Sequence, residues 1–227
     1  MQDSIDKKPL RIGVLADSKM VGVHTYHSLG DKYLRAITEG MKAFPTLIPA
    51  WAERDLLHSY LRGVQGLLLT GSHSNIEPHH YGDQLSTEPF HDPARDSSAF
   101  LLIEMALDMD IPVFGICLGL QILGLAAGMK SIKMLHGHHG ANHPVKDLET
   151  GEVLITSQNH GFCLDDSQVP KSVKITHRSL FDNSVQGVRL NSSPAFGFQG
   201  HPEASPGPHD AQTLFDDFVT LMEGKDA

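Results

Sequence analysis

The stretch Ile111-Pro-Val-Phe-Gly-Ile-Cys-Leu-Gly119 joins a short apolar run to a helix-like run that continues to Gly128. Cys117 would therefore lie on a sharp turn between a buried strand and the N-terminus of a helix. The unpaired N–H groups and the positive end of that helix favour a thiolate. The flanking Gly115 and Gly119 permit a tight turn and close approach by a substrate. This stretch predicts a reactive thiol at the carboxyl end of a strand.

A second motif, His201-Pro-Glu203, follows a predicted strand farther along the chain. In an extended backbone, residues i and i+2 point to the same side, and the proline is expected to keep this segment extended. His201 would then exchange protons with Cys117, while Glu203 fixes the tautomer of the imidazole. Together these three residues predict an enzyme that attacks an amide.

Strand and helix patterns alternate in the amino-terminal half. Strands are predicted at 11–16, 46–49, 66–70 and 111–116. Helices are predicted at 30–42, 53–61, 94–109 and 118–128. Further strands are predicted at 131–135, 152–156, 172–177, 185–190 and 195–199, before a closing helix at 209–222. This alternation predicts an α/β fold, with a three-layer, mostly parallel central sheet and helices on both faces.

The segment Gly71-Ser-His-Ser-Asn75 follows the third predicted strand. Active sites in parallel sheets lie beyond the carboxyl ends of the strands. The N–H of Ser72 or His73 is therefore one candidate donor to an oxyanion, and the N–H of Leu118 is the other. A plain turn is the alternative interpretation of this segment.

The composition limits the classes of function. The length of 227 residues and 40% hydrophobic content predict a single domain over 1–227. A net charge of −9 argues against nucleic acid or an anionic membrane surface as a partner. The two cysteines suit a reducing cytosol, and residues 1–10 lack the apolar core of a signal peptide. No apolar run approaches the roughly 20 residues that span a bilayer, so we expect a cytoplasmic protein.

The chain has 15 histidines, and His136, His138, His139 and His143 lie close together in sequence. A zinc site is one interpretation, but no cysteine or carboxylate completes an obvious ligand set. A glycine-rich loop with hydrogen-bonding histidines is the interpretation that we favour, and we expect neither a metal nor an organic cofactor. His160 and His209 are expected to serve packing alone, and Cys163 to act as a small core hydrophobe.

The motif Gly115-Ile-Cys-Leu-Gly-Leu-Gln121, with His201-Pro-Glu203, resembles the triad-type class I glutamine amidotransferases, which have a flavodoxin-like topology. Residues from about 114 to 222 resemble the glutaminase domain of the carbamoyl-phosphate synthetase small subunit, through segments 137–147, 156–162 and 198–210. The resemblance implies that Cys117 is the nucleophile, His201 the base and Glu203 the orienting carboxylate. It also implies that glutamine binds against Leu118, Gln121, Asn159, Gly161 and Phe162. Without this resemblance, we would interpret Asn159 as a turn residue and Gln121 as a residue on the face of a helix.

Residues from about 10 to 112 resemble instead the γ-glutamyl-γ-aminobutyrate hydrolases of the C26 peptidase type. The matching segments are 30–36, 69–82 and 91–96. Gly71 and Ser72 match the oxyanion loop of that family. A natural fusion and a constructed chimera both remain open as the origin of the two halves.

These features predict hydrolysis of γ-glutamyl amides, glutamine first, through a γ-glutamyl thioester. Three alternatives remain open. The first is hydrolysis of γ-glutamyl-γ-aminobutyrate, and the second is supply of ammonia to a synthetase partner. The third is an inactive hybrid scaffold whose two halves misplace the triad by about 1 Å, which can cost about a hundredfold in rate.

Overall fold

The computed structural model describes residues 9–82, 90–204 and 207–224. The strands in these ranges are β1 (Arg11–Leu15), β2 (Asp17–Val21), β3 (His24–Ser28), β4 (Phe44–Ile48), β5 (Gly66–Leu69), β6 (Val113–Ile116), β7 (Lys130–Asp147), β8 (Val153–Asp165), β9 (Val173–Ser179), β10 (Val185–Leu190) and β11 (Ala195–Phe198). The α-helices are α1 (Asp31–Arg35), α2 (Arg54–Leu61), α3 (Pro93–Asp108), α4 (Leu118–Ala126) and α5 (Thr213–Met222). A π-helical turn at Ala36–Gly40 extends α1, and 3₁₀ turns lie at Pro78–Tyr81 and Asp210–Gln212.

A nine-stranded sheet has the order β4-β1-β5-β6-β11-β10-β9-β7-β8. The first five strands in this order run parallel to one another, and each later pairing is antiparallel. The predicted α/β fold is therefore confirmed. Its parallel part brings the carboxyl ends of β5, β6 and β11 to one edge, and these ends lead into Gly71, Cys117 and His201.

Helices cover both faces of the sheet. On one face, α2, α3 and α4 contribute Leu57, Leu102 and Leu120 to a buried cluster. On the other face, α1 and α5 contribute residues such as Tyr33 and Phe218. Successive strand residues point to opposite faces, so the parallel strands β1, β5, β6 and β11 each contribute to both clusters. Fully burying each such apolar side chain contributes about 1.5–3 kcal/mol, before the entropy cost of ordering the chain.

Helix α3 starts where its local sequence favours a start. The side chain of Asp92 caps the helix by accepting a hydrogen bond from the N–H of Arg95 at 3.1 Å. Pro93 occupies the first helical position, where a missing N–H removes no helical hydrogen bond. This start places Arg95 and Asp96 inside the protein, where both are fully buried.

Three parts of the fold differ from the sequence prediction. The antiparallel hairpin of β2 and β3 was not predicted, because its residues are largely exposed and carry no apolar alternation. The histidine-rich segment is part of β7, so its interpretation as a loop was wrong. Strand β8 extends nine residues beyond the predicted end at residue 156, to Asp165. Finally, no helix among the described residues is long and apolar enough to cross a membrane.

Candidate active site

Cys117 occupies a strained turn between β6 and α4. Its φ of 53° and ψ of −104° are unusual for a residue with a side chain. Its N–H donates to the carbonyl of Phe198 at 2.9 Å, which fixes the turn against β11. A Cβ on Gly119 would overlap the carbonyl of Leu69, so only glycine lets α4 pack this closely. The structure thus confirms the predicted sharp turn at the start of a helix.

His201 and Glu203 contact each other directly. Nδ1 of His201 lies 2.9 Å from Oε1 of Glu203, and the Glu203 side chain has no exposed surface. The backbone here forms a turn, in which the N–H of Ala204 donates to the carbonyl of His201 at 3.1 Å. The prediction of an extended backbone was therefore wrong, although the two side chains do meet. The N–H of His201 donates to the carbonyl of Ser157 at 2.9 Å, which holds the turn against β8.

The charges around His201 favour its protonated form. Burial lowers its pKa, but hydrogen bonding to Cys117 and Glu203 outweighs burial and raises the pKa to about 10. Burial raises the pKa of Glu203, whereas His201 and Lys32 lower it, and the net direction is down. His201 is therefore an imidazolium at neutral pH, held between the sulfur and a carboxylate. This is the form that can protonate a leaving amine.

Lys32 and Tyr33 on α1 lie beside Cys117, His201 and Glu203. Nζ of Lys32 lies 2.8 Å from Oε1 of Glu203. The Tyr33 hydroxyl accepts a hydrogen bond from the N–H of Gly71 at 3.0 Å. Burial raises the pKa of Tyr33 well above its usual value, and the charges of Glu203 and Cys117 raise it further. Sequence reasoning missed both residues, because α1 is far from the two motifs along the chain.

A cavity of about 360 Å³ opens beside Cys117. The predicted residues that line it are Gly71, Ser72, His73, Cys117, Asn159 and His201. Asp17 and Lys19 of the hairpin also line it, together with Lys32. Because Tyr33 already accepts the N–H of Gly71, the N–H groups of Ser72 and His73 are the better placed oxyanion donors on this loop.

Gln121 does not line this cavity. Its Nε2 donates to the carbonyl of Phe162 at 3.1 Å and to Oε1 of Gln199 at 3.2 Å. Nε2 of Gln199 in turn lies 3.6 Å from Sγ of Cys117. Gln121 therefore connects α4 to β8 and to a residue that contacts the sulfur, and sequence reasoning missed Gln199.

The remaining predicted substrate residues lie on α4 and β8. Leu118 begins α4 directly after Cys117. Asn159 belongs to β8 rather than to a turn, and its carbonyl faces Sγ of Cys117 at 3.9 Å. Gly161 has open space where a side chain would be, and the ring of Phe162 lies 6.0 Å from that of Tyr81. Of these four residues, only Asn159 lines the cavity beside the sulfur.

Two of the β7 histidines make ordinary polar contacts. Nε2 of His138 lies 3.0 Å from Oδ2 of Asp182, and Nδ1 of His139 lies 2.9 Å from Oδ1 of Asn159. Within the described ranges, only Glu77, His79 and His80 have ligand atoms grouped as for a metal ion. The favoured interpretation of these β7 histidines as hydrogen-bonding residues therefore holds for His138 and His139, on a strand rather than a loop.

His160 and Cys163 are two further buried residues that were expected to contribute to packing. Burial lowers the pKa of His160 to about 3, and its Nδ1 lies 2.8 Å from the carbonyl of Phe162. Burial raises the pKa of Cys163 to about 11, which disfavours a thiolate.

Residues 89–221 match the family described as glutamine amidotransferase class-I. The chain belongs to this family. The match confirms the predicted fold and the predicted class of enzyme, a hydrolase of amide bonds. The resemblance of residues 10–112 to the γ-glutamyl-γ-aminobutyrate hydrolases stays a prediction.

Similar curated proteins are carbamoyl phosphate synthase small chains. The protein of Escherichia coli strain K12 is 58% identical over 132 residues, which are 58% of this chain and 35% of that protein. The protein of Acinetobacter baylyi is 59% identical over 133 residues, again 58% and 35% of the two chains. The chain thus spans about a third of the length of these relatives.

Solved structures show the same fold at low sequence identity. A protein from Thermoplasma acidophilum has a TM-score of 0.71 at 20% identity, with 96% of each chain covered. The glutaminase domain of Trypanosoma brucei CTPS with bound acivicin has a TM-score of 0.67 at 16% identity, with 96% of this chain and 95% of that chain covered.

Proposed function

We propose that this chain hydrolyses the side-chain amide of glutamine to glutamate and ammonia, with Cys117, His201 and Glu203 as its catalytic triad. The observation that carries the proposal is the strained turn at Cys117 beside the His201–Glu203 pair. A non-glycine residue in this conformation costs about 1–3 kcal/mol, which folded proteins tolerate chiefly at functional sites.

In the first half of the reaction, the Cys117 sulfur attacks the side-chain carbonyl carbon of glutamine. The N–H of Ser72 or His73 and the N–H of Leu118 donate to the oxyanion that forms. His201 then gives its proton to the leaving nitrogen, and the carbon–nitrogen bond breaks. Ammonia leaves, and a γ-glutamyl thioester remains on Cys117.

In the second half, water attacks the thioester carbonyl. His201, now neutral, takes a proton from that water and returns to the imidazolium form. The carbon–sulfur bond breaks, and glutamate leaves. Glu203 accepts a hydrogen bond from Nδ1 of His201 throughout, which keeps Nε2 directed at the reacting atoms. Lys32 contacts the same Oε1 of Glu203 and helps to hold the carboxylate in place.

Steady-state release of glutamate from glutamine tests this proposal, with Cys117→Ser as the control. The parent should release glutamate, and the variant should fold as the parent does but release none. Equal rates in the two proteins would refute the mechanism. A folded parent without turnover would favour an inactive hybrid or a chain that depends on a partner.

A second candidate substrate is a γ-glutamyl amide whose leaving amine carries a carboxylate, such as γ-glutamyl-γ-aminobutyrate. The observation that favours it is the presence of two lysines, Lys19 and Lys32, in the lining of the cavity. Lys19 is paired with Asp17 at 3.5 Å and is about half exposed, so its ammonium can reach a ligand. Replacing Lys19 with Gln should lower kcat/KM for γ-glutamyl-γ-aminobutyrate but not for glutamine. An unchanged ratio would count against this candidate.

A synthetase partner is also proposed, on the grounds that the relatives are small chains of a carbamoyl phosphate synthase. Such a partner would consume the ammonia and would raise the glutaminase rate. Adding a carbamoyl phosphate synthase large chain to the purified protein tests this. Copurification or a rise in glutamate release supports the partner, and an unchanged rate without complex formation contradicts it.

A further inference from the structure

The turn that follows the Gly71–Asn75 loop brings three possible metal ligands together. The ligand atoms of Glu77, His79 and His80 all lie within 4.8 Å of one another. Glu77 precedes a 3₁₀ turn that begins at Pro78, and the N–H of His80 donates to the carbonyl of Glu77 at 3.1 Å. Residues three apart lie on the same side of a 3₁₀ helix, so this backbone itself places Glu77 beside His80.

Helix α3 holds two of these residues in position. The N–H of Glu77 donates to Oδ2 of the buried Asp96 at 2.9 Å. The ring of His80 packs on the ring of Phe100, with their centres 4.5 Å apart, and its other neighbour is the ring of His79 at 3.9 Å. Contacts with α3 therefore hold Glu77 and His80, while His79 is exposed and packs on the ring of His80.

One ring nitrogen of His80 lacks a partner in the part of the chain that the structure describes. Nε2 of His80 is buried and has no hydrogen-bond partner among the described residues. A buried polar atom left unpaired costs about 1–3 kcal/mol. Coordination of a metal ion would use the lone pair of a neutral imidazole, which removes this cost.

The donor set indicates the class of metal. Two imidazoles and one carboxylate form a three-ligand set typical of Zn²⁺, with a fourth position for water. Ca²⁺ and Mg²⁺ prefer sites made of oxygen ligands. Ligand atoms around tetrahedral zinc lie about 3.4 Å apart, and the present separations are at most 4.8 Å, so a small closure completes the site. Side-chain rotation of His79 and Glu77 can supply that movement.

We propose that Glu77, His79 and His80 bind one Zn²⁺ or a similar divalent transition-metal ion. The ion would fasten the segment that begins at the cavity-lining Ser72 and His73 to helix α3. This site is separate from the triad, and the proposal does not depend on the proposed function.

The test uses the full chain, prepared without a histidine tag and stripped with a chelator. Co²⁺ is titrated in, its visible absorption is followed, and Zn²⁺ is then added as a competitor. The parent should bind one equivalent with the absorption of a tetrahedral site, and Zn²⁺ should displace it. Glu77→Gln should weaken binding by about tenfold or more, since even outer ligands contribute that much.

The decisive comparison is between two double variants. The double variant His79→Gln with His80→Gln should abolish the saturable site. The matched control, His24→Gln with His58→Gln, should retain it, because both control histidines are exposed and lie elsewhere. Circular dichroism should show that both variants are folded. Equal binding by parent and the first variant, or no saturable binding by the parent, would overturn the proposal.

Discussion

Replacing Gly71 with alanine places a methyl group at the centre of the candidate active site. The new Cβ would lie 2.7 Å from the hydroxyl of Tyr33, 3.1 Å from Cε1 of His201 and 3.3 Å from Cβ of Cys117. Ordinary contacts begin at 3.4 Å, so the methyl group overlaps all three neighbours, Tyr33 the most. None of the three is a free surface side chain, so Tyr33, the Gly71 loop and the two proposed catalytic residues must shift relative to one another.

The size of the effect follows from these distances. Relief of the overlap with Tyr33 needs a movement of about 0.7 Å, and the overlaps with His201 and Cys117 need about 0.3 and 0.1 Å. Because the Tyr33 hydroxyl also accepts the Gly71 N–H, the loop beside the sulfur moves with it, and a misplacement of about 1 Å can cost a hundredfold in rate. We therefore expect kcat/KM for glutamine to fall by about 10- to 100-fold. Overpacking of a buried site typically costs about 1–3 kcal/mol in the free energy of unfolding. The variant should thus remain folded while it loses most of its activity.

Glutamate release measures the activity, and urea unfolding measures the stability. Gly40→Ala is the matched control, because a Cβ there has no atom within 4 Å and no unusual backbone conformation. The rate at which iodoacetamide alkylates Cys117 gives a reading that does not need a substrate. A Gly71→Ala variant with the activity and alkylation rate of the parent would refute the packing described around the triad.

Three further predictions concern the neighbours of this site. Tyr33→Phe removes the acceptor for the Gly71 N–H, so we expect the free energy of unfolding, measured in urea, to fall by about 1–3 kcal/mol and kcat to fall as well. Unchanged values would show that the hydroxyl has no positioning role. Lys32→Met removes a cation from the buried Glu203 carboxylate, so glutaminase activity should fall about tenfold, and Lys32→Arg should restore part of it; an inactive Lys32→Arg variant would argue against a charge effect. Burial lowers the pKa of His160 in the folded protein to about 3, whereas an unfolded histidine has a pKa of 6.5. As the pH falls, the unfolded chain therefore binds the proton first. The free energy of unfolding should fall as the pH drops from 6.5 towards 3. At pH 5 this loss is about 2 kcal/mol relative to pH 7. The His160→Gln variant should lack this loss, while the control variant of the exposed His58, His58→Gln, should keep it. Equal pH dependence in both variants would contradict a buried, neutral His160.

The parallel part of the sheet could be predicted because its inner strands β1, β5, β6 and β11 are buried on both faces. Runs such as Val113–Ile116 are wholly apolar or glycine, and a turn residue or helix follows each. The hairpin of β2 and β3 offered no such signal, because its side chains face solvent. The histidine-rich part of β7 was predicted to be a loop because glycines and histidines are typical of loops. Long antiparallel pairing with β8 keeps this segment extended instead.

The residues of the proposed triad lie in two local motifs that the sequence shows, but the residues that support them do not. Cys117 and His201 come to one edge because β6 and β11 are parallel neighbours, which alternation of strands and helices already suggests. Lys32 and Tyr33 reach the site only because the distant helix α1 packs beside it, and Gln199, although close to His201 in sequence, reaches the sulfur through the end of β11. Nothing in their immediate sequence distinguishes them from an exposed lysine, a core tyrosine and a buried amide.

The central claim is that Cys117 carries the γ-glutamyl group during turnover. The most direct measurement is the intact mass of the protein after rapid acid quenching during reaction with glutamine. The account predicts a parent population heavier by one γ-glutamyl group, mapped by peptide analysis to Cys117, and no such population in Cys117→Ser. Glutamate release by Cys117→Ser at the parental rate, or a parent that turns over glutamine with the adduct on another residue, would contradict it.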